Sequence, residues 1–526
     1  MAVAALLVAV VAAQAVPQIA VTDFLTLEIT GRLDGTGQTD GLLARVNGLT
    51  EEPGGATRFF IHDLAGSIYI VDKASKRLTT YLDFNGRDGR GGMFHRFTFA
   101  VGYANGLISL AFDPAYRTNG RFYTVHLEEP AVAASPLPEA AHAPGLSVAG
   151  YTPTAAVVTP GDIQREAVLI EWTDTNIRDT AFTGSAREIL RIQLNARIHP
   201  MSALTFNPAA RAGDPDWRVL YIGCGDGGSG ESRLAIRTNP QRLDTLVGKI
   251  LRIVPDPTEH QSSTDVSENG RYRIPRDNPF IGTPGARKEI WAYGFRNPHR
   301  LTWIVDDVPA PVLVADSVGL YSWETVNIVH KGANYGYSQR EGNEALQPRE
   351  NRTTALPDPD RIPVQISDTV TAGTITPTYP VIQYPHKPEG GDAIGSGFAY
   401  RGRAIPALRG KYIFTDISTG KVWYADIRDM LAADDGKPET LAPMHPLKVS
   451  WAQTTGAAPS LHDSMFSIAE TAYHTRGGKA EHLPGTALIS ATGRADAQLA
   501  VDASGELYVL TKSDGTIRAV TDATLK

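Results

Sequence analysis

A single cysteine, Cys224, stands in 526 residues, so no disulfide can form within the chain. A stapled framework is thereby excluded, and the 42% of apolar residues must supply the core instead. The shortage of cysteine does not exclude an extracytoplasmic home, because a core of that size is stable without crosslinks. An excess of positive charge is lacking too. Fifty Lys and Arg against 57 Asp and Glu give a net charge of -7, and no basic run is dense enough for a nucleic-acid footprint. Beyond the N-terminus there is no apolar run long enough to span a membrane. Amphipathic helices longer than about three turns are missing as well.

Turn formers are abundant: 50 Gly and 35 Pro suit many short strands better than long helices. The first residues form an apolar run that ends in Ala13-Gln14-Ala15, which resembles a secretory signal peptide. The first basic residue is Arg32, so the charged leader of such a peptide is not there, and a buried N-terminal strand is the alternative. Residues 1–15 are thus expected to be a signal-peptide remnant and 16–526 a single domain.

One phrase recurs along that domain: an alternating apolar run, a turn with Gly, Pro or Asp, then a second alternating run with an aromatic. It appears at 58–73, 106–126, 202–223, 300–317, 397–426 and 497–520. Each copy reads as a β-hairpin. Further strand candidates lie at 165–173, 188–194 and 247–255. A hairpin cannot bury its apolar face alone, so the copies must pack on one another. The pattern predicts an all-β chain, a six-bladed β-propeller, with a sandwich as the other architecture that periodicity allows. Residues 129–163 and 341–378 break the pattern and are expected to be long loops on one face.

The run GCGDGG at 223–228 fits G-x-G-x-x-G, yet no helix follows and no βαβ unit surrounds it. It reads as a tight turn at a blade edge, where glycine permits positive φ. Thirteen histidines are present, and most belong to surface or core. His199 stands out because it immediately precedes the third hairpin, where a histidine can face the central channel and act as a base near neutral pH.

Four phrases in order, NGLISLAFDPAYRTNGRFY (105–123), IWAYGFRNPHRLTW (290–303), ETVNIVHKGANYGY (324–337) and FAYRG with LRGKYIFTD (398–416), resemble the glucose/sorbosone dehydrogenase family. These are soluble sugar dehydrogenases that use pyrroloquinoline quinone on six-bladed propellers. The resemblance implies an oxidoreductase that acts on a sugar or related alcohol. A histidine takes the hydroxyl proton, hydride passes to the quinone, and an arginine stabilises the quinone oxygen. Carried over by motif, the histidine is His199, ten positions inclusive from Pro208, and the arginine is Arg296, with Asn297 beside it. The resemblance also implies a cofactor-side calcium on backbone carbonyls of a loop that falls on Val318, Gly319 and Leu320. The resemblance implies a structural calcium near the NYG phrase as well, to which Tyr335 would lend its carbonyl, and Glu324 alone remains of the acidic pair, with a solvated acid at a blade edge as its other reading.

The departures cluster at the chemistry. Pro200, Met201, Ser202 and Ala203 replace the family's small residues after the histidine, and Ala104 replaces a sugar-contacting glutamine. Thr325 stands for the second residue of an acidic pair. The anchoring lysine position falls on Ser418 or Thr419, with Lys421 nearby, and Arg494 alone remains of an arginine pair. A tricarboxylate needs such cations. The leading expectation is a periplasmic or secreted dehydrogenase with pyrroloquinoline quinone and calcium, a small-molecule substrate and an external electron acceptor, since no haem attachment motif is present. A cofactor-free propeller lyase or hydrolase on a carbohydrate-like ligand, and a non-catalytic binding propeller, are the alternatives.

Overall fold

The computed structural model describes residues 16–27, 45–55, 57–87, 91–99, 105–232, 234–453, 456–478, 481–485 and 492–525. The expected leader at 1–15 and Ala104 lie outside the described residues. The chain is all-β with few helices; the longest described helix is Met465–Thr475. Among the described residues no helix is long and apolar enough to cross a membrane.

Each repeated phrase forms the antiparallel hairpin that its alternation predicts, and each hairpin is extended to four strands. The first unit is Val46–Thr50, Arg58–Asp63, Ser67–Asp72 and Leu78–Asp83. The second is Leu107–Phe112, Arg121–Glu128, Arg165–Asp174 and Gly184–Leu194, with Leu146–Ser147 added in parallel. The third is Met201–Phe206, Leu220–Cys224, Lys249–Ile253 and Ile290–Tyr293. The fourth is Asn297–Ile304, Val312–Val318, Trp323–Ile328 and Ile382–Pro385. The fifth is Ile394–Ala399, Lys411–Asp416, Val422–Asp426 and His445–Trp451. The sixth draws Ala497–Val501, Leu507–Thr511 and Thr516–Thr524 from the C-terminal region and its outermost strand, Gln18–Thr26, from the other end of the chain. That strand also pairs in parallel with the fifth unit, Gln18 opposite Lys448, so the last two units form one continuous sheet.

The first strand of each unit touches the first strand of the next, and the sixth touches the first. Apolar side chains on facing sheets fill the wedges between neighbours. Phe60, Ile70 and Tyr81 of the first unit meet Phe112, Phe122 and Trp172 of the second in one core. Ile192 and Leu194 meet Ile222 and Leu251 in another, and Phe59 and Ile61 meet Leu510 and Ile517 where the cycle closes. Trp172 is fully buried, stacks on Phe122, and donates its indole N–H to Thr124 Oγ1 at 2.8 Å. Truncating an aromatic of this kind typically costs about 3–5 kcal/mol.

The interrupting segments differ from expectation in one respect. Residues 129–163 are largely irregular, pinned where Thr154 donates from N and Oγ1 to Glu188 at 2.9 and 2.7 Å. Residues 341–378 are not plain loop. They carry the short strands Glu344–Gln347, Arg352–Thr354, Ile362–Gln365 and Thr371–Ile375 in two small sheets. Strands of three to five residues are too short for an alternation to stand out, so the sequence pattern hides them.

Candidate functional site

His199 sits just before the first strand of the third unit in the left-handed backbone region, at φ 54°. A non-glycine residue there is strained by roughly 1–3 kcal/mol unless its surroundings hold it. The GCGDGG run supplies the hold. The amides of Gly227 and Gly225 donate to the carbonyls of His199 and Pro200, both at 3.0 Å. Gly225 must be glycine for this approach, because a Cβ there would lie 2.6 Å from His199 Cβ and 2.9 Å from Asn297 Oδ1. Gly227 and Gly228 adopt positive φ, as a tight turn requires.

The same turn delivers Asp226. Its Oδ1 lies 2.7 Å from His199 Nδ1 and also accepts the Gly228 amide at 2.8 Å, while Oδ2 accepts the Gly230 amide at 3.0 Å. Burial alone would raise the pKa of this carboxyl. The neighbouring His199, the Arg296 charge and the Gly228 amide outweigh it and hold the group below its ordinary value. An ionised Asp226 accepts the Nδ1 proton, which fixes the imidazole tautomer and leaves Nε2 as an acceptor. Among the described residues nothing bonds Nε2, so it is open to a ligand hydroxyl. Asp226 is the residue that sequence reasoning missed. It lay inside a run read only as a turn.

Arg296 joins the pair through its backbone, its carbonyl accepting the Asp226 amide at 2.7 Å. Its guanidinium binds Glu231 and donates to the Gly319 carbonyl at 2.5 Å. Burial pulls its pKa down, but the charges of Glu231 and Asp226 more than compensate, so it stays protonated. Its Nε and the nearby Tyr337 hydroxyl are buried donors without a partner among the described residues. Asn297 opens the fourth unit with its Oδ1 3.5 Å from Ser202 Oγ. His199, Arg296 and Asn297 are therefore brought together around the Gly225–Asp226 turn.

The implied metal set is not assembled. The Gly319 carbonyl already receives a guanidinium, and Leu320 turns its amide to Glu341 Oε1 at 2.8 Å. That one oxygen also accepts the amides of Tyr321, Ser322 and Trp323 at 2.8, 2.8 and 3.0 Å, so a carboxylate of the chain itself fills the turn. Val318 closes the preceding strand. Glu324 is not a solvated acid. It is wholly buried, paired to His386, and accepts the amides of Gly319 and Ile394 at 3.1 and 2.7 Å. The Tyr335 ring is stacked on Phe295 with centroids 4.3 Å apart, and its hydroxyl donates to the Ile328 carbonyl at 2.5 Å. No group of three or more His, Cys, Asp or Glu side chains suited to a metal occurs among the described residues.

Arg494 makes no hydrogen bond to His199 or Arg296; its Nε lies 3.1 Å from Asp496. Ser418 bonds Asp392, Thr419 caps Asp416, and Lys421 is tied to the carbonyls of Pro388 and Gly390, away from the imidazole. The donors near His199 fit the anionic, acceptor-rich character of pyrroloquinoline quinone: a protonated Arg296 whose Nε is unpartnered among the described residues, and the equally unpartnered Tyr337 hydroxyl, are what such a group would satisfy. The arrangement at Gly319 does not fit calcium.

The model of the glucose/sorbosone dehydrogenase family matches residues 53–437. The chain is similar to the HIPL1 protein of Arabidopsis thaliana, 25% identical over 397 residues, 71% of this chain and 51% of that protein. It is 36% identical over 118 residues to the aldose sugar dehydrogenase YliI of Escherichia coli (strain K12), 21% of this chain and 26% of that one. The chain thus spans about half the length of the curated Arabidopsis relatives it matches. A crystal structure of glucose dehydrogenase aligns with a TM-score of 0.53 at 15% identity, covering 95% of this chain and 99% of the other. The soluble aldose sugar dehydrogenase of Escherichia coli in its apo-form aligns at 0.50 and 16%, covering 91% and 97%. At those identities the likeness is one of fold. With a family model covering most of its length, the chain belongs to the glucose/sorbosone dehydrogenase family.

Proposed function

We propose that residues 16–526 form one six-bladed propeller and that it oxidises a sugar or related alcohol with pyrroloquinoline quinone, using His199 as base. The cyclic contact of six first strands supports the blade count. The observation that carries the chemistry is the His199–Asp226 pair, with Nδ1 held at 2.7 Å and Nε2 open.

His199 Nε2 accepts the proton of the substrate hydroxyl as the carbon it sits on is oxidised to a carbonyl. Asp226 keeps the imidazole oriented and stabilises the cation that forms. Arg296 and Asn297 hold the acceptor side, where Arg296 supplies fixed positive charge against the negative charge that builds up. Bound there, the quinone supplies the two-electron acceptor for the hydride leaving that carbon. Calcium has no role in this reading, since the Gly319 carbonyl is already engaged. The electron acceptor that reoxidises the quinone is a separate molecule, and a periplasmic or secreted location suits that exchange. The segments 129–163 and 341–378 would shape the substrate's entrance.

The test is quinone binding followed by turnover. Titrated with the quinone, the purified protein should bind it saturably and then reduce a redox dye with one or more of a panel of aldoses. Absence of both would reject the reading. Binding of a sugar with no dye reduction would instead favour a binding propeller.

A further inference from the structure

We propose that the channel enclosed by the six first strands holds a small anion, an oxyanion or short carboxylate, bound by Lys512, Arg45 and Arg300. These side chains are distinct from those at His199, and the inference does not rest on the quinone reading.

Lys512 follows the second strand of the sixth unit and is 2% exposed, with its backbone amide donating to the Asp496 carbonyl at 3.2 Å. Among the described residues no acceptor meets its ammonium. Arg45 enters the first unit, is also 2% exposed, and donates Nη1 to Asp496 Oδ2 at 2.7 Å, while its Nε has no partner among the described residues. Arg300, on the first strand of the fourth unit, reaches the Asn47 carbonyl at 3.1 Å and the Ser202 carbonyl at 3.4 Å. Those two residues belong to the first strands of the first and third units, so the guanidinium bridges strands that line the ring.

Arg494 also approaches Asp496, its Nε 3.1 Å away. Among the described residues, the other titratable groups facing Lys512, Arg45 and Arg300 do not neutralise them. His62 is held down at about 3 and His299 well below its ordinary value, in each case by burial and then by Arg300 and Lys512, so both are uncharged. Asp496 stays ionised: burial disfavours its charge, but Arg45, Arg494 and Lys512 outweigh that. Asp316, nearer Arg300, is raised to about 7 by burial and is bonded to Tyr412 and the Gly397 amide. Among the described residues, Lys512, Arg45 and Arg300 therefore gather around one firmly ionised carboxylate, Asp496. A buried ammonium with no acceptor is among the costliest groups a fold can keep, and an anion at that place removes the cost. Without one, burial and the three arginines pull Lys512 down to about 7.

The experiment is calorimetric titration of the full chain with sodium sulfate and, separately, sodium formate, at pH 6 and pH 8 in a zwitterionic buffer. One saturable site is expected, about tenfold weaker at pH 8 because the ammonium is then mostly deprotonated. Lys512→Met should lower sulfate affinity at least tenfold, while its melting temperature without sulfate is no lower than that of the unaltered chain. Lys448→Met, at an exposed lysine, should leave binding unchanged. Non-saturable heats, or equal affinity in Lys512→Met, would overturn the proposal. Should that variant fail to fold, selenate soaked into crystals of the unaltered protein decides. An anomalous peak within hydrogen-bond reach of Lys512 Nζ is expected, and peaks confined to the outer surface would overturn it.

Discussion

Two imidazole–carboxylate pairs lie close together in this fold, joined through Gly319, whose amide bonds Glu324 and whose carbonyl bonds Arg296. In one pair His199 meets Asp226; in the other His386 meets Glu324. Asp226 is fed by two amides of its own turn, sits near Arg296, and is held below its ordinary pKa. Glu324 is raised above its ordinary value, chiefly by burial, even though His386 and the Ile394 amide pull it down. Among the described residues His199 Nε2 has no partner, whereas His386 spends Nε2 on Glu324 and buries an unpartnered Nδ1. An imidazole and a carboxylate thus leave a ring nitrogen uncommitted in one place and form a closed structural clasp in the other. What separates them is whether the distal nitrogen is left for a ligand.

The sharpest break of that contrast is at the bases. His199→Ala should lower kcat of the quinone-loaded protein by about 10²–10⁴, the usual span for a general base, with quinone affinity unchanged. His386→Ala should do the reverse. It leaves Glu324 buried and unpaired, which typically costs about 3–5 kcal/mol, seen in denaturant unfolding, while turnover per folded molecule changes little.

A smaller effect is expected at Gly225→Ala. The added Cβ would press on His199 and Asn297, an overpacking that typically costs about 1–3 kcal/mol and displaces the base, so kcat/KM should fall more than stability predicts.

The pH dependence of stability should separate the pairs last. Asp226 has a depressed folded pKa, so its contribution is present above the ordinary 3.8 and fades as pH falls through the folded value. His386 is raised: burial lowers it, but Glu324 wins. Its contribution is therefore full below the ordinary 6.5 and is lost as pH rises through the folded value. Asp226→Asn should flatten the acid limb of a melting-temperature profile, and His386→Leu the limb above pH 6.5.

The frame was far more legible than the site. Alternating runs such as RFFIHDLAGSIYIVDK carry their own strands and turn, so local pattern sufficed to find all six hairpins. Closure was not legible, because the pairing of Gln18–Thr26 with Thr516–Thr524 joins opposite ends of the chain. At the site, His199, Arg296 and Asn297 were visible because each precedes a hairpin or lies in the GFRNP phrase. Asp226 was hidden by its glycines, and the partner of Glu324 lies 62 residues away. Lys512 and Arg45 gave no signal, since isolated basic residues in turns look like surface until the ring closes over them.

The account rests on Asp226 making a base of His199, and a single turnover tests it most directly. Protein loaded with the quinone is mixed with excess aldose without oxygen, and quinone reduction is followed by absorbance in the unaltered chain, His199→Ala and Asp226→Asn. The account predicts equal quinone loading in all three, prompt reduction in the first, and reduction slowed about 10²–10⁴ in both variants. Reduction by either variant at the unaltered rate, or none by the unaltered chain, would contradict it.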